Sequence, residues 1–176
     1  MFLSRDAKLD GSKAVRGGIP LVFPQFGQPD KSMPQHGFLR TNFWKADDSS
    51  VYDNAEGASI TYKLDLKDVK NSRGGAWGED TQYDCSFAYT IKIDAKSITT
   101  TLRISNTGNK AFPFQTLLHT YYYVHDHAAL DGSKCYVAGL EGKTKYIYEL
   151  KRVRGAIVES KPVVSLFDKF CKKVIW

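Results

Sequence analysis

The sequence predicts an all-β chain of antiparallel strands packed as a sandwich, and three observations predict it. Several segments alternate apolar and polar residues with a period of two, the signature of half-buried strands. Clusters of Gly, Asn, Asp and Pro cut the chain at short intervals. No stretch sustains a helical period, and many strands between short turns mean antiparallel sheets.

Taken in order, residues 1–18 are polar and glycine-rich, and only Phe2 and Leu3 could begin a strand. Residues 19–27, IPLVFPQFG, are apolar, but Pro20 and Pro24 exclude a helix interior and a central strand. An extended or turn segment held down by its neighbours is expected there. Residues 28–37 form a loop punctuated by Pro29 and Pro34, and residues 46–57 are polar and turn-rich. Strands are expected at 58–66, 83–94 and 97–106, each alternating cleanly, with a loop at 71–78 and a turn at 106–109. Residues 112–126, FPFQTLLHTYYYVHD, read as one long strand around which the rest is organised. Phe112, Phe114, Leu118, Tyr122 and Val124 fall on a plain core face, because strand side chains alternate. Gln115, Leu117, His119, Tyr121 and Tyr123 fall on the other, whose mixture of amide, imidazole and phenols looks like a pocket lining. Further short strands are expected at 135–140, 145–150, 161–167 and 174–176.

At 176 residues the chain reads as a single domain, 1–176, long enough to bury a real core. The aromatic share of 13% suits β structure and also carbohydrate contact. The net charge of +6 resides wholly in residues 143–176, which hold nine basic and three acidic residues. That segment lacks interleaved RNP-type aromatics, Cys/His zinc spacing and a helix-turn-helix pattern, so it reads as a solvated basic surface and no nucleic-acid partner is expected. Cys85, Cys135 and Cys171 are odd in number and far apart, which is neither a disulfide framework nor a zinc site. There is no glycosylation sequon, signal peptide or long apolar run, so a cytoplasmic protein without membrane contact is expected.

His119 is the leading candidate for chemistry. On composition alone it reads either as a core histidine, the commoner case, or as a catalytic one. His125, Asp126 and His127 make a metal-like triplet, but no third ligand with suitable spacing accompanies them. Arg16 in V-R-G-G stands where two glycines allow close backbone approach to a ligand, as a phosphate clamp requires, and Arg40 ends another loop that could join it. A solvated arginine is the ordinary alternative for both. Gln35 and His36 sit between Pro34 and Gly37, where the backbone is constrained. No nucleophile elbow, P-loop or dinucleotide fingerprint is present.

Three stretches together resemble one family: F-L-S-R-x-A-x-L-D-G-S-K-A-V-R-G-G-I-P-L-V-F-P-Q-F-G at 2–27, P-Q-H-G-F-L-R at 34–40, and F-x-x-L-L-H-T-Y-Y-Y-V at 114–124. They are similar to the glucose-6-phosphate 1-epimerases, or hexose-6-phosphate mutarotases, of the aldose 1-epimerase superfamily. The resemblance covers about residues 2–150 and continues more thinly to the last residues. It implies a galactose mutarotase-like β-supersandwich, here incomplete, and interconversion of the α and β anomers of a hexose 6-phosphate. It further implies His119 as the general acid that protonates the ring oxygen while a carboxylate base takes the anomeric proton. Arg16 and Arg40 are implied to hold the substrate, most simply its phosphate, with Gln35 hydrogen-bonding it. No metal or organic cofactor is implied. The family's base is a glutamate beyond a W-N-P-W stretch, which no residue here matches, and Lys173 stands where its sugar-binding aspartate falls. A chain truncated at both ends, weakly active or inactive alone, is therefore expected. The alternatives are a non-catalytic sugar-phosphate-binding protein and a β-rich interaction domain using open strand edges.

Overall fold

The structure is a computed structural model that describes residues 1–12, 15–70, 73–125, 133, 136–139, 141, 144–149, 152–158, 163–165 and 173–175. Among the described residues every strand pairing is antiparallel, and the only helices are single turns of 3-10 type at Leu39–Thr41, Leu66–Asp68 and Gly75–Trp77. The expected all-β class is what forms. The chain divides into two compact units, one of Ile19–Thr120 and one joining Met1–Gly18 to Tyr121–Trp176.

In the Ile19–Thr120 unit, β2 (Lys45–Asn54), β3 (Gly57–Asp65), β4 (Cys85–Ile93) and β5 (Ile98–Asn106) form a four-stranded meander in chain order. Strands β3 to β5 are the alternating segments expected from the sequence, with Leu64, Cys85 and Phe87 turned into the core. β2 was expected to be turns. Its sequence KADDSSVYDN has no apolar alternation, because it is an edge strand with both faces largely in water. Pairing with β3, irregular between Asp47 and Tyr52, makes it a strand despite its composition.

β1 (Leu21–Val22) pairs with β6 (Leu117–Leu118) in the register Leu21↔Leu118 and Val22↔Leu117. The expected long strand over 112–126 is thus only two residues of regular strand. Its partner explains this. Pro20 and Pro24 bracket β1 and have no N–H to give, so they can only accept. His119 N–H bonds Pro20 O at 3.0 Å and Gln115 N–H bonds Pro24 O at 2.8 Å, with nothing returned. The ladder shrinks to the residues between. Phe112 and Leu118 do pack on the core, but Tyr122 on the same expected face is 78% exposed. Asp126 lies outside the described residues.

The core of this unit joins Leu21, Phe23, Met33, Phe38 and Leu39 to Leu64, Leu66, Val69, Trp77, Cys85 and Phe87. Phe23 is its centre, fully buried, with ring centroids 5.6 Å from Phe38, 5.1 Å from Trp77 and 5.0 Å from Phe87. Edge-to-face packing of this kind adds to the burial of a phenyl ring, itself worth roughly 1.5–3 kcal/mol. β1 and its loop are thereby pinned to one face of the meander.

In the other unit Leu3 bridges Gly17, and Phe2 N–H bonds Tyr121 O at 2.9 Å. Its strands are β7 (Tyr136–Ala138), β8 (Thr144–Glu149), β9 (Arg152–Val158), β10 (Val163–Ser165) and β11 (Lys173–Ile175). β10 pairs with β7, and β8 lies between β11 and β9. Four of these five fall within or beside expected strands, whereas β9, at RVRGAIV, was not expected. Among the described residues no helix is long and apolar enough to cross a membrane.

Candidate active site

The site is built on a loop that leaves β1 and comes back to it. Gln25, only 4% exposed, is the strut of that loop. Its amide nitrogen donates to Asp30 O at 3.0 Å and Pro34 O at 3.1 Å, while its oxygen accepts from Asp30 N–H at 3.0 Å. A buried side-chain amide satisfied by three backbone groups fixes a loop as firmly as a short ladder does. Gln28 adds a bond to Met33 O at 2.9 Å. Asp30 accepts from the hydroxyl and N–H of Ser32, which holds its carboxyl below the usual range.

The loop delivers His36 into the interior at 6% exposure and in a left-handed conformation, φ 72°. His36 N–H donates to Gly27 O at 2.7 Å, and Gly27 N–H donates to His36 Nδ1 at 3.1 Å. Accepting that bond, Nδ1 is unprotonated, so in the neutral ring the proton sits on Nε2. Gly37 then lies against Phe23 in a parallel bridge, and Phe38 N–H bonds Phe23 O at 2.9 Å. The close pass explains Gly37, since a Cβ there would run into Phe23 O.

His119 follows β6 directly and is half-buried, its backbone anchored to Pro20. Its ring lies 5.5 Å from that of His36, edge to face, and stacks against Phe26 at 6.3 Å with 19° between the planes. Phe26 in turn lies 4.9 Å from His36. Gln115 holds Phe26 in place, its side-chain oxygen accepting Phe26 N–H at 2.9 Å. Two imidazoles and a phenyl ring thus form one cluster where β6 ends against the loop. A neutral imidazole donates at one ring nitrogen and accepts at the other, and here the pair stands beside a flat apolar surface.

Of the residues singled out from the sequence, Gln35 and Arg40 are brought together. Arg40 Nη2 donates to the backbone carbonyl of Gln35 at 2.6 Å, so the guanidinium braces the same loop that carries His36. Arg40 is half-buried in the 3-10 turn after Leu39, and the Gln35 side chain is exposed. Arg16 belongs to the other unit, where it is exposed and its carbonyl accepts Ser4 N–H at 2.8 Å. His125 is exposed, and Asp126 and His127 lie outside the described residues. Among the described residues no group of His, Cys, Asp and Glu is placed to hold a metal ion.

Sequence reasoning assigned no role to His36, pointed to Gln115 only as part of the expected pocket-lining face, and did not single out Phe26. The signal for His36 was its place between Pro34 and Gly37. Phe26 gave none, because it meets Gln115 only through the loop closure that Gln25 enforces.

The comparisons with known proteins bear on the family. The Aldose 1-epimerase family profile matches residues 2–161. Curated relatives each bear the name "Putative glucose-6-phosphate 1-epimerase". One from Cenchrus ciliaris is 32% identical over 132 residues, 72% of this chain and 38% of the relative. One from Escherichia coli (strain K12) is 27% identical over 136 residues, 76% of this chain and 41% of the relative. One from Salmonella typhimurium is 26% identical over 129 residues, 73% of this chain and 39% of the relative. The chain therefore spans about two fifths of the length of the curated relatives it matches. No solved structure matches it significantly. With a profile match over most of its length, the chain belongs to the aldose 1-epimerase family.

Proposed function

We propose that the protein interconverts the α and β anomers of a hexose 6-phosphate, glucose 6-phosphate first, with His119 as the general acid. The observation that carries this reading is the His119–His36–Phe26 cluster, an imidazole anchored beside an apolar ring at the strand end where the family motif places its histidine. His119 protonates the ring oxygen, a base removes the anomeric proton, the ring opens, C1–C2 rotates, and the ring closes from the other face. The two groups stand on opposite sides of the sugar, because one gives a proton as the other takes one. Arg40 holds the phosphate and Gln35 a sugar hydroxyl, while His36, its Nδ1 held by Gly27, packs against His119.

A second reading rests on the contact between Arg40 and Gln35: the same residues bind a sugar phosphate without turning it over. NMR exchange spectroscopy on the anomers of glucose 6-phosphate tests both. Exchange above the buffer rate that disappears in His119→Ala supports the enzyme. Binding without exchange supports the second reading, and neither binding nor exchange removes both.

A further inference from the structure

A concavity lies on the Ile19–Thr120 unit, lined by residues 42–45 on one side and by Lys63, Leu64, Asp65, Asp68 and Lys70 on the other. Its volume of about 430 Å³ is in the range of small-molecule sites. None of the residues of the histidine cluster lines it.

Its floor is rigid. Trp44 is half-buried, its indole N–H donating to Leu39 O at 3.0 Å and its ring meeting Phe87 at 6.3 Å and Tyr89 at 6.4 Å. Leu64 beside it is 4% exposed. Asn42 ties the two walls together, its amide nitrogen donating to Phe38 O at 2.9 Å and its oxygen accepting Lys70 N–H at 3.2 Å. On this floor stands Phe43, 96% exposed, the most exposed large apolar side chain described. A phenyl ring held wholly in water by a fixed backbone is an apolar platform without a cover.

The rim determines what covers it. The lining carries Lys45, Lys63 and Lys70 with Asp65 and Asp68. Lys45 Nζ donates to Asp68 at 2.9 Å, and Lys63 pairs with Asp47 just outside the lining, so the charges balance. Each pair leaves spare donors on the ammonium and spare acceptors on the carboxylate. A rim with paired charges is no strong anion trap. It suits a neutral ring compound with one apolar face and an edge of hydroxyls, each of which both donates and accepts. We propose that this groove binds a neutral pyranose unit, which lays its apolar face on Phe43 and hydrogen-bonds the Lys45–Asp68 pair and Lys63.

The probe is methyl β-glucopyranoside. Its anomeric hydroxyl is capped, so it cannot undergo the ring opening proposed at His119, and its binding is independent of that reading. Saturation-transfer NMR and Trp44 fluorescence are expected to show millimolar binding by the 176-residue chain. Phe43→Ala, at a position too exposed to affect folding, is expected to weaken it about tenfold, while Phe43→Trp restores it and His119→Ala leaves it unchanged. No binding by the unaltered chain overturns the proposal. So does a glycoside affinity that His119→Ala abolishes and Phe43→Ala preserves. So does tighter binding of phenyl phosphate than of the glycoside, which would mark an anion site.

Discussion

The rings of His36 and His119 meet edge to face with centroids 5.5 Å apart, although the residues stand on opposite sides of the unit's chain path. The contact exists because a loop strutted by Gln25 returns to β1 just where β6 ends. His36 is held by Gly27 through both its backbone and Nδ1. His36→Ala therefore leaves the Gly27 N–H without its acceptor and puts a Cβ-bearing residue at φ 72° with no side-chain compensation. A loss of about 1–3 kcal/mol is expected in denaturant unfolding. Asn tolerates this conformation and places an oxygen where Nδ1 stands, so His36→Asn is expected to recover most of the stability. Equal losses in the two variants would mean that the Nδ1 bond is not what holds the loop.

Gly37→Ala attacks the same closure from the backbone side. The new Cβ meets Phe23 O and Pro24 Cδ at a residue with φ 72°. Neither neighbour can give, since Phe23 is fully buried at the centre of the aromatic core. The left-handed conformation alone costs an alanine about 1–2 kcal/mol, and the clash adds to it. The expected result is a clearly lowered melting temperature together with loss of the His36–His119 contact, seen as shifted imidazole resonances.

What could be read from the sequence follows the physics of each element. β3, β4 and β5 each bury one face, and burial writes a period of two into the residues. β2 buries little and so leaves no pattern, although its hydrogen bonds to β3 are as real. The stretch after Phe112 has the alternation of a strand, but Pro20 and Pro24 deny it a partner able to return hydrogen bonds. Its two-residue length is a property of a different segment of the chain. His119 was singled out through the family resemblance, and the structure puts its ring beside those of His36 and Phe26. His36 was half-legible, through its flanking Pro34 and Gly37. Phe26 was illegible, because Gln115 reaches it across 89 residues.

The β4–β5 hairpin carries an acid-sensitive turn. Asp94 accepts from the Ser97 hydroxyl at 2.6 Å and from the N–H groups of Lys96 and Ser97 at 2.8 Å each. The Ser97 hydroxyl first, then the two N–H groups, hold its carboxyl below 3.8. A carboxylate with a folded pKa below its unfolded one stabilises the fold above the unfolded value. That contribution is lost as pH falls through the folded value. Asp94→Asn is therefore expected to lower the melting temperature near neutral pH and to make no difference well below pH 3.8. A gap that stays constant with pH would separate the turn's stability from the charge of Asp94.

Cys85 lies in the core at 1% exposure, and burial first, with Asp84 and Asp65 adding, pushes its thiol up to about 12. The nucleophile is the thiolate, so a folded Cys85 is expected to resist alkylation at mildly alkaline pH. Peptide mapping after iodoacetamide treatment, with and without denaturant, checks this residue separately from Cys135 and Cys171. Prompt labelling of Cys85 in the native protein would mean that the edge of the β4 core opens readily.

Arg40 separates recognition of the phosphate from recognition of the sugar. Its Nη2 donates to Gln35 O at 2.6 Å, which orients the guanidinium. If the guanidinium meets the phosphate of a hexose 6-phosphate, Arg40→Ala removes charge-assisted bonds of about 1.5–3 kcal/mol each. Affinity for glucose 6-phosphate is then expected to fall at least about tenfold, and affinity for glucose little. Arg40→Lys keeps the charge but not the planar fork that reaches Gln35 and a phosphate together, so it is expected to fall between the two. Titration calorimetry with both sugars decides. Equal losses on glucose and glucose 6-phosphate would remove the phosphate assignment and leave Arg40 as a brace of the Gln35 loop alone.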